Sequence, residues 1–225
     1  MSELLPPPDR TKFPVLDETH IETLNGLMLG RIYQTAGDYA KNWNTFRLYG
    51  PTSCRFDHQD PDAANHASRS VLYSASTVLL EKSNTRNPLL RTCLAEVFGS
   101  TSVIDLTVGN PYFVQFSAIR PLRLLDLADS DWVLLAGANA LISGGPHPVC
   151  QEWAKAIYEH YAGDDALDGL WYACSSNPPA RTVVLFDRAE DALPAHPASN
   201  LALSMAALVP ALKRFSTQLH YSVLR

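Results

Sequence analysis

Apolar residues recur along this chain at two spacings, and the switches between them mark its elements. Val149, Trp153, Ile157 and Tyr161 stand four apart behind Pro148, with Gln151, Glu152, Lys155 and Glu159 between them, which predicts an amphipathic helix opened by the proline. A second helix is predicted over 88–98, after the break at Asn87-Pro88, with Glu96 in its last turns. A third starts at the T-x-x-E capping box of Thr19 and Glu22, carries Ile21, Leu24, Leu27 and Met28 as its stripe, and ends at Gly30. Residues 200–215 read as a helix interrupted or bent at Pro210.

Runs rich in β-branched, aromatic and leucine side chains predict strands over 71–75, 103–108, 113–118 and 122–127, a buried strand over 182–187 and an edge strand over 219–224. Residues 1–16, with Pro6, Pro7 and Pro8 in a row, predict an extended leader that is surface-bound or disordered. The segments 40–50 and 58–70 read as an irregular lid or rim. Strands and helices mix without a βαβ alternation or any repeat, so the expected fold class is α+β, one domain over 17–225 behind the leader.

Composition narrows the functions available. At 225 residues and 46% hydrophobic the chain can bury a full core without staples. Its net charge of −5 argues against a general grip on nucleic acid, so any bound anion must meet a few placed cations. Cys54, Cys93, Cys150 and Cys174 form no C-x-x-C pair, and no two of the seven histidines stand at ligand spacing, so no metal site is expected. Apolar stretches fall short of the ~20 residues of a membrane span. With no signal-peptide pattern at the start, a cytoplasmic protein without membrane contact is expected.

Four short signatures hold the candidate chemistry: Arg31 in G-R-I-Y, Arg55 in C-R-F-D, Tyr73 in V-L-Y-S and Glu96 in C-L-A-E-V-F. By residue type alone each has an ordinary reading: ion-pair arginines, a core tyrosine, a solvent-facing helix glutamate. A nucleophilic Cys174 with His147 or His160 as base lacks a local signature, and Gly144-Gly145 reads as a turn rather than a phosphate loop.

In that order, followed by D-G-L-W-Y-A-C-S-S, the signatures resemble the RES-domain family over roughly residues 29–188. The resemblance implies an ADP-ribosyltransferase-like mixed sheet with flanking helices, and an enzyme that destroys NAD⁺ as the toxin of a toxin–antitoxin pair. It implies NAD⁺ as substrate, no further cofactor, and an antitoxin partner with a helix-turn-helix domain; a homodimer is left open. Glu96 is then the carboxylate facing the ribosyl cation, Arg31 and Arg55 the pyrophosphate donors, Tyr73 the aromatic wall, and Tyr33 a second candidate for that wall. The family serine falls on Cys174, so the resemblance leaves its role to Cys174 or, by a one-residue shift, to Ser175. The stretch from Tyr73 to Glu96 is longer than the pattern, which suggests an insertion over 81–91. Water or phosphate could receive the cation. ADP-ribosyl transfer to a macromolecule, and a catalytically silent interaction protein, are the competing readings.

Overall fold

The run Ala180–Phe186 is buried at all of its positions, the mark of a strand covered on both faces. It lies at the centre of a mixed sheet in the computed structural model, which describes residues 3–79, 88–177 and 179–225. In chain order the strands are β1 (Ile21–Leu24), β2 (Met28–Gln34), β3 (Tyr49–Gly50), β4 (Ala64–Asn65), β5 (Val71–Leu79), β6 (Val103–Asp105), β7 (Pro111–Ser117), β8 (Leu122–Asp126), β9 (Gly169–Ala173), β10 (Ala180–Phe186), β11 (Ser199–Ala202) and β12 (Ser222–Leu224). The helices are α1 (Pro88–Phe98), α2 (Trp132–Leu135), α3 (His147–His160) and α4 (Val209–Leu219). Eight strands form the main sheet in the order β1-β8-β9-β10-β5-β2-β7-β11, in which only β8 and β9 run parallel. The architecture is the expected α+β.

Strand alternation divides the core. Val184 and Phe186 of β10 join Leu170, Tyr172 and the α3 residues Trp153 and Ile157 on one face, while Val183 and Leu185 meet Leu72, Val114, Phe116 and Trp171 on the other. Further along the first face, α1 and α4 lay Leu89, Leu94, Leu212 and Phe215 against Ile32, Ala75 and Phe113. That face thus has two apolar centres, one under α3 and one under α1 and α4.

The sequence reading located α1, α3 and most of the strands, and the structure differs from it in three places. Residues 21–30 are no helix but β1 and the start of β2, joined through Gly26 at φ 70°. The capping belongs to a single 3₁₀ turn, where Asp17 and His20 cap each other, and β1 then pairs with β8 so that sheet packing covers Leu24. Residues 200–215 split into β11 and α4, because Pro210 sits in the first turn of α4, where its missing N–H costs nothing. Over its described residues, 3–16, the leader packs into the molecule rather than lying only on its surface. Leu4 and Phe13 are buried, Phe13 stacks on Trp153 at 5.8 Å, and Trp153 Nε1 donates to the Leu5 carbonyl at 2.8 Å.

The segment 58–70 is tied down rather than free to act as a lid: Arg69 donates to Glu159 of α3 at 2.6 Å and to the His58 carbonyl at 3.1 Å. Of the insertion expected over 81–91, residues 81–87 lie outside the described residues and the rest opens α1. Among the described residues no helix is long and apolar enough to cross a membrane.

Candidate active site

β2 pairs with β7 along its whole length but with β5 only at Leu29↔Ser76 and Gly30↔Ala75. Beyond Gly30 the two strands part. A cavity of about 230 Å³ opens there, with Arg31 and Ile32 on one lip and Val71, Tyr73 and Ser74 on the other. Because the cleft enters between strands, it reaches side chains from both faces of the sheet: Ile32, Tyr73 and Ala75 from one, Arg31 and Ser74 from the other. α1 forms the roof with Cys93, Glu96 and Val97. Gly30 lets that helix lie close, since a Cβ there would stand 3.4 Å from Leu89 Cβ and 3.2 Å from the Phe113 ring.

Glu96, exposed in the last turn of α1, accepts a hydrogen bond from the Cys174 thiol at 2.7 Å. Burial, reinforced by the Glu96 charge, pushes the Cys174 pKa well up, so the thiol keeps its proton and acts as donor rather than nucleophile. Cys93, buried in the same wall, is pushed up to about 12 by burial and is equally inert.

Arg31 is half-buried and its Nη1 donates to the Trp43 and Thr45 carbonyls at 3.3 and 3.4 Å. Its Nε is shielded from solvent with no hydrogen-bond partner among the described residues. Burial, with a smaller push from Arg47, lowers its pKa to about 10, so it remains a cation at neutral pH.

Behind the opposite lip lies a carboxylate with no exposed surface. Asp57 accepts from Tyr73 Oη at 2.9 Å, from the Thr52 N–H and hydroxyl at 2.7 and 2.8 Å, and from Arg47. Tyr73 Oη in turn accepts the Phe56 N–H at 3.1 Å. Burial and the Asp57 charge raise the tyrosine pKa far above its ordinary value, leaving a neutral phenol whose hydroxyl is fully engaged and whose ring faces the cavity. Burial works to lower the pKa of Arg47, but Asp57 outweighs it.

The family model described as RES domain matches residues 28–206. The chain belongs to the RES domain family. Among solved structures, a chain from the crystal structure of the M. tuberculosis MbcT–MbcA toxin–antitoxin complex is similar at 14% identity, with 88% of this chain and 91% of that chain covered and a TM-score of 0.48. No curated protein matches.

Of the RES-pattern residues named from sequence, Arg31, Tyr73 and Glu96 line one cavity. Cys174 joins them through Glu96, whereas Ser175 is exposed in the turn after β9. Arg55 also departs from expectation: its guanidinium donates to the Gly145 carbonyl and to Cys150 Sγ at 3.8 Å, fixing the turn before α3, and it does not line the cavity. Tyr33 does not line this cavity either but a neighbouring hollow, and its hydroxyl exchanges hydrogen bonds with Asn200 at 2.9 and 3.0 Å. Arg47 and Lys41, which the sequence reading did not single out, line the cavity where Arg55 does not. Their signal was two basic residues inside the aromatic rim segment 40–50. Among the described residues no cluster of three or more His, Cys, Asp or Glu side chains converges as metal ligands.

Proposed function

We propose that this RES-domain chain cleaves the bond between nicotinamide and ribose in NAD⁺, depleting the dinucleotide as the toxin of a toxin–antitoxin pair. The observation that supports this most is Glu96, oriented by the Cys174 thiol, in the wall of a cavity that also holds Arg31 and the Tyr73 ring. Cleavage sends the C–N bonding electrons to the pyridine nitrogen, which leaves neutral and needs no proton. The ribosyl carbon becomes a cation. A carboxylate beside it stabilises that charge and aligns water, whose oxygen bonds to the carbon while its proton passes to solvent. Tyr73, neutral and fixed by Asp57, offers a flat apolar wall to the nicotinamide, and Arg31 offers a buried donor to phosphate oxygen.

In this reading an antitoxin, with a helix-turn-helix domain by resemblance to the family, would hold the enzyme in check. Purified chain incubated with NAD⁺ is expected to release nicotinamide, and Glu96→Gln to lose at least about a hundredfold in kcat, on the order of the loss of one transition-state charge contact. No release by the parent, or equal rates for the variant, overturns the proposal. Labelled NAD⁺ separates hydrolysis, which leaves free ADP-ribose, from transfer, which leaves label on protein.

A further inference from the structure

The cavity does not end at Arg31. A second hollow of about 310 Å³ continues along β2, sharing Arg31, Ile32, Lys41, Arg47 and Val97 with the first. Three cations therefore stand in the wall common to both, in a chain whose net charge is −5. Lys41 has no ion-pair partner among the described residues, and its backbone N–H is pinned to the Gln34 carbonyl at the end of β2 at 2.9 Å. Burial and then the charges of Arg47 and Arg31 lower its pKa, which means the cations crowd one another where only Arg47 meets a carboxylate. Past this wall the outer hollow is lined by Tyr39, Phe98 and Val108, with Tyr39 77% and Val108 60% exposed. Asp105 and Gln34 supply its polar edge.

Apolar pocket, cationic bridge and a second pocket with an aromatic residue form a sequence that matches a molecule with two ring-bearing halves joined by a diphosphate. We propose that the outer hollow is a second half-site, which takes the adenosine half of NAD⁺ against Tyr39 and Phe98 while Lys41 and Arg47 grip the bridging phosphates. This rests on the NAD⁺ reading of the inner cavity. A planar base gains from an aromatic face, and phosphate oxygens relieve the mutual repulsion of the cations. A mononucleotide would fill the inner cavity and reach only the wall.

The test compares nicotinamide release from NAD⁺ and from nicotinamide mononucleotide by the full chain, with calorimetric binding of both. Val108→Trp fills the outer hollow from an exposed position, Tyr39→Ala removes its aromatic face, and Lys41→Ala removes a bridging cation. The first two are expected to raise the KM for NAD⁺ about tenfold while leaving kcat and the mononucleotide's kcat/KM in place, and Lys41→Ala to weaken NAD⁺ by tenfold or more and the mononucleotide less, as for one charge-assisted contact. Equal losses for both ligands, or none for either, overturn the half-site. If the parent binds NAD⁺ without cleaving it, the catalytic reading fails, and the half-site is judged by the same pattern in the dissociation constants. If it binds neither ligand, both proposals fall.

Discussion

Cys93 and Cys174 flank Glu96 as buried thiols whose pKa values are raised, Cys93 to about 12 from an ordinary 9.0. Above pH 9 an unfolded thiol loses its proton while the folded one keeps it, so the unfolded state binds fewer protons and stability must fall as pH rises. The window for Cys93 runs from about pH 9 to about 12, and each such thiol contributes a slope of about 1.4 kcal/mol per pH unit within it. Denaturant midpoints measured from pH 8 to 11 should fall steadily for the parent and less steeply for Cys93→Ala; parallel slopes contradict the assignment. Residues of this kind separate what the sequence could and could not reveal. Arg31, Tyr73 and Glu96 were legible because each sits in its own short signature on a regular element. Asp57, Lys41 and Arg47 were not, because irregular segments place them and side-chain and loop contacts that follow no periodic spacing fix those segments. Arg55 lies outside the cavity lining, and its signature says nothing of the Gly145 carbonyl that claims its guanidinium.

At the scale of elements, the site depends on two strands that stop pairing and on a helix laid over the gap. Gly30 is the hinge point of that arrangement, with Leu89 of α1 and the Phe113 ring crowding the space a side chain would need. Gly30→Val should cost about 1–3 kcal/mol by overpacking, seen as a thermal midpoint lower by several degrees, and should also reduce NAD⁺ turnover because it lifts the helix that holds Glu96. An unchanged midpoint would show that α1 yields freely. The helix α3 was legible since its apolar residues repeat at helical spacing over three or more turns, and α1 since Asn87-Pro88 breaks the chain just before it. The stretch 19–30 satisfied the same spacing by coincidence over a shorter run. Gly26 and the pairing of β1 with β8 overrode it, which no local rule weighs.

For the whole molecule, stability and chemistry are drawn from different ends of one sheet face. The leader supplies Phe13, whose ring meets Trp132, Trp153, His160 and Tyr161 at centroid distances of 5.1 to 6.2 Å, and none of these partners lines the cavity. Truncating a buried aromatic costs about 3–5 kcal/mol in lost transfer energy and residual void, and in a chain of this size each kcal/mol lowers the thermal midpoint by roughly 2–4 °C. Phe13→Ala should therefore melt on the order of 10 °C below the parent. Its kcat and KM for NAD⁺, measured well below that midpoint, should stay within about twofold of the parent, because the folded fraction keeps β2, β5 and α1 in place. A matched loss of turnover at a temperature where circular dichroism shows the variant fully folded would mean that the two apolar centres are coupled across Val71 and Tyr73, which lie between the leader's core and the cavity.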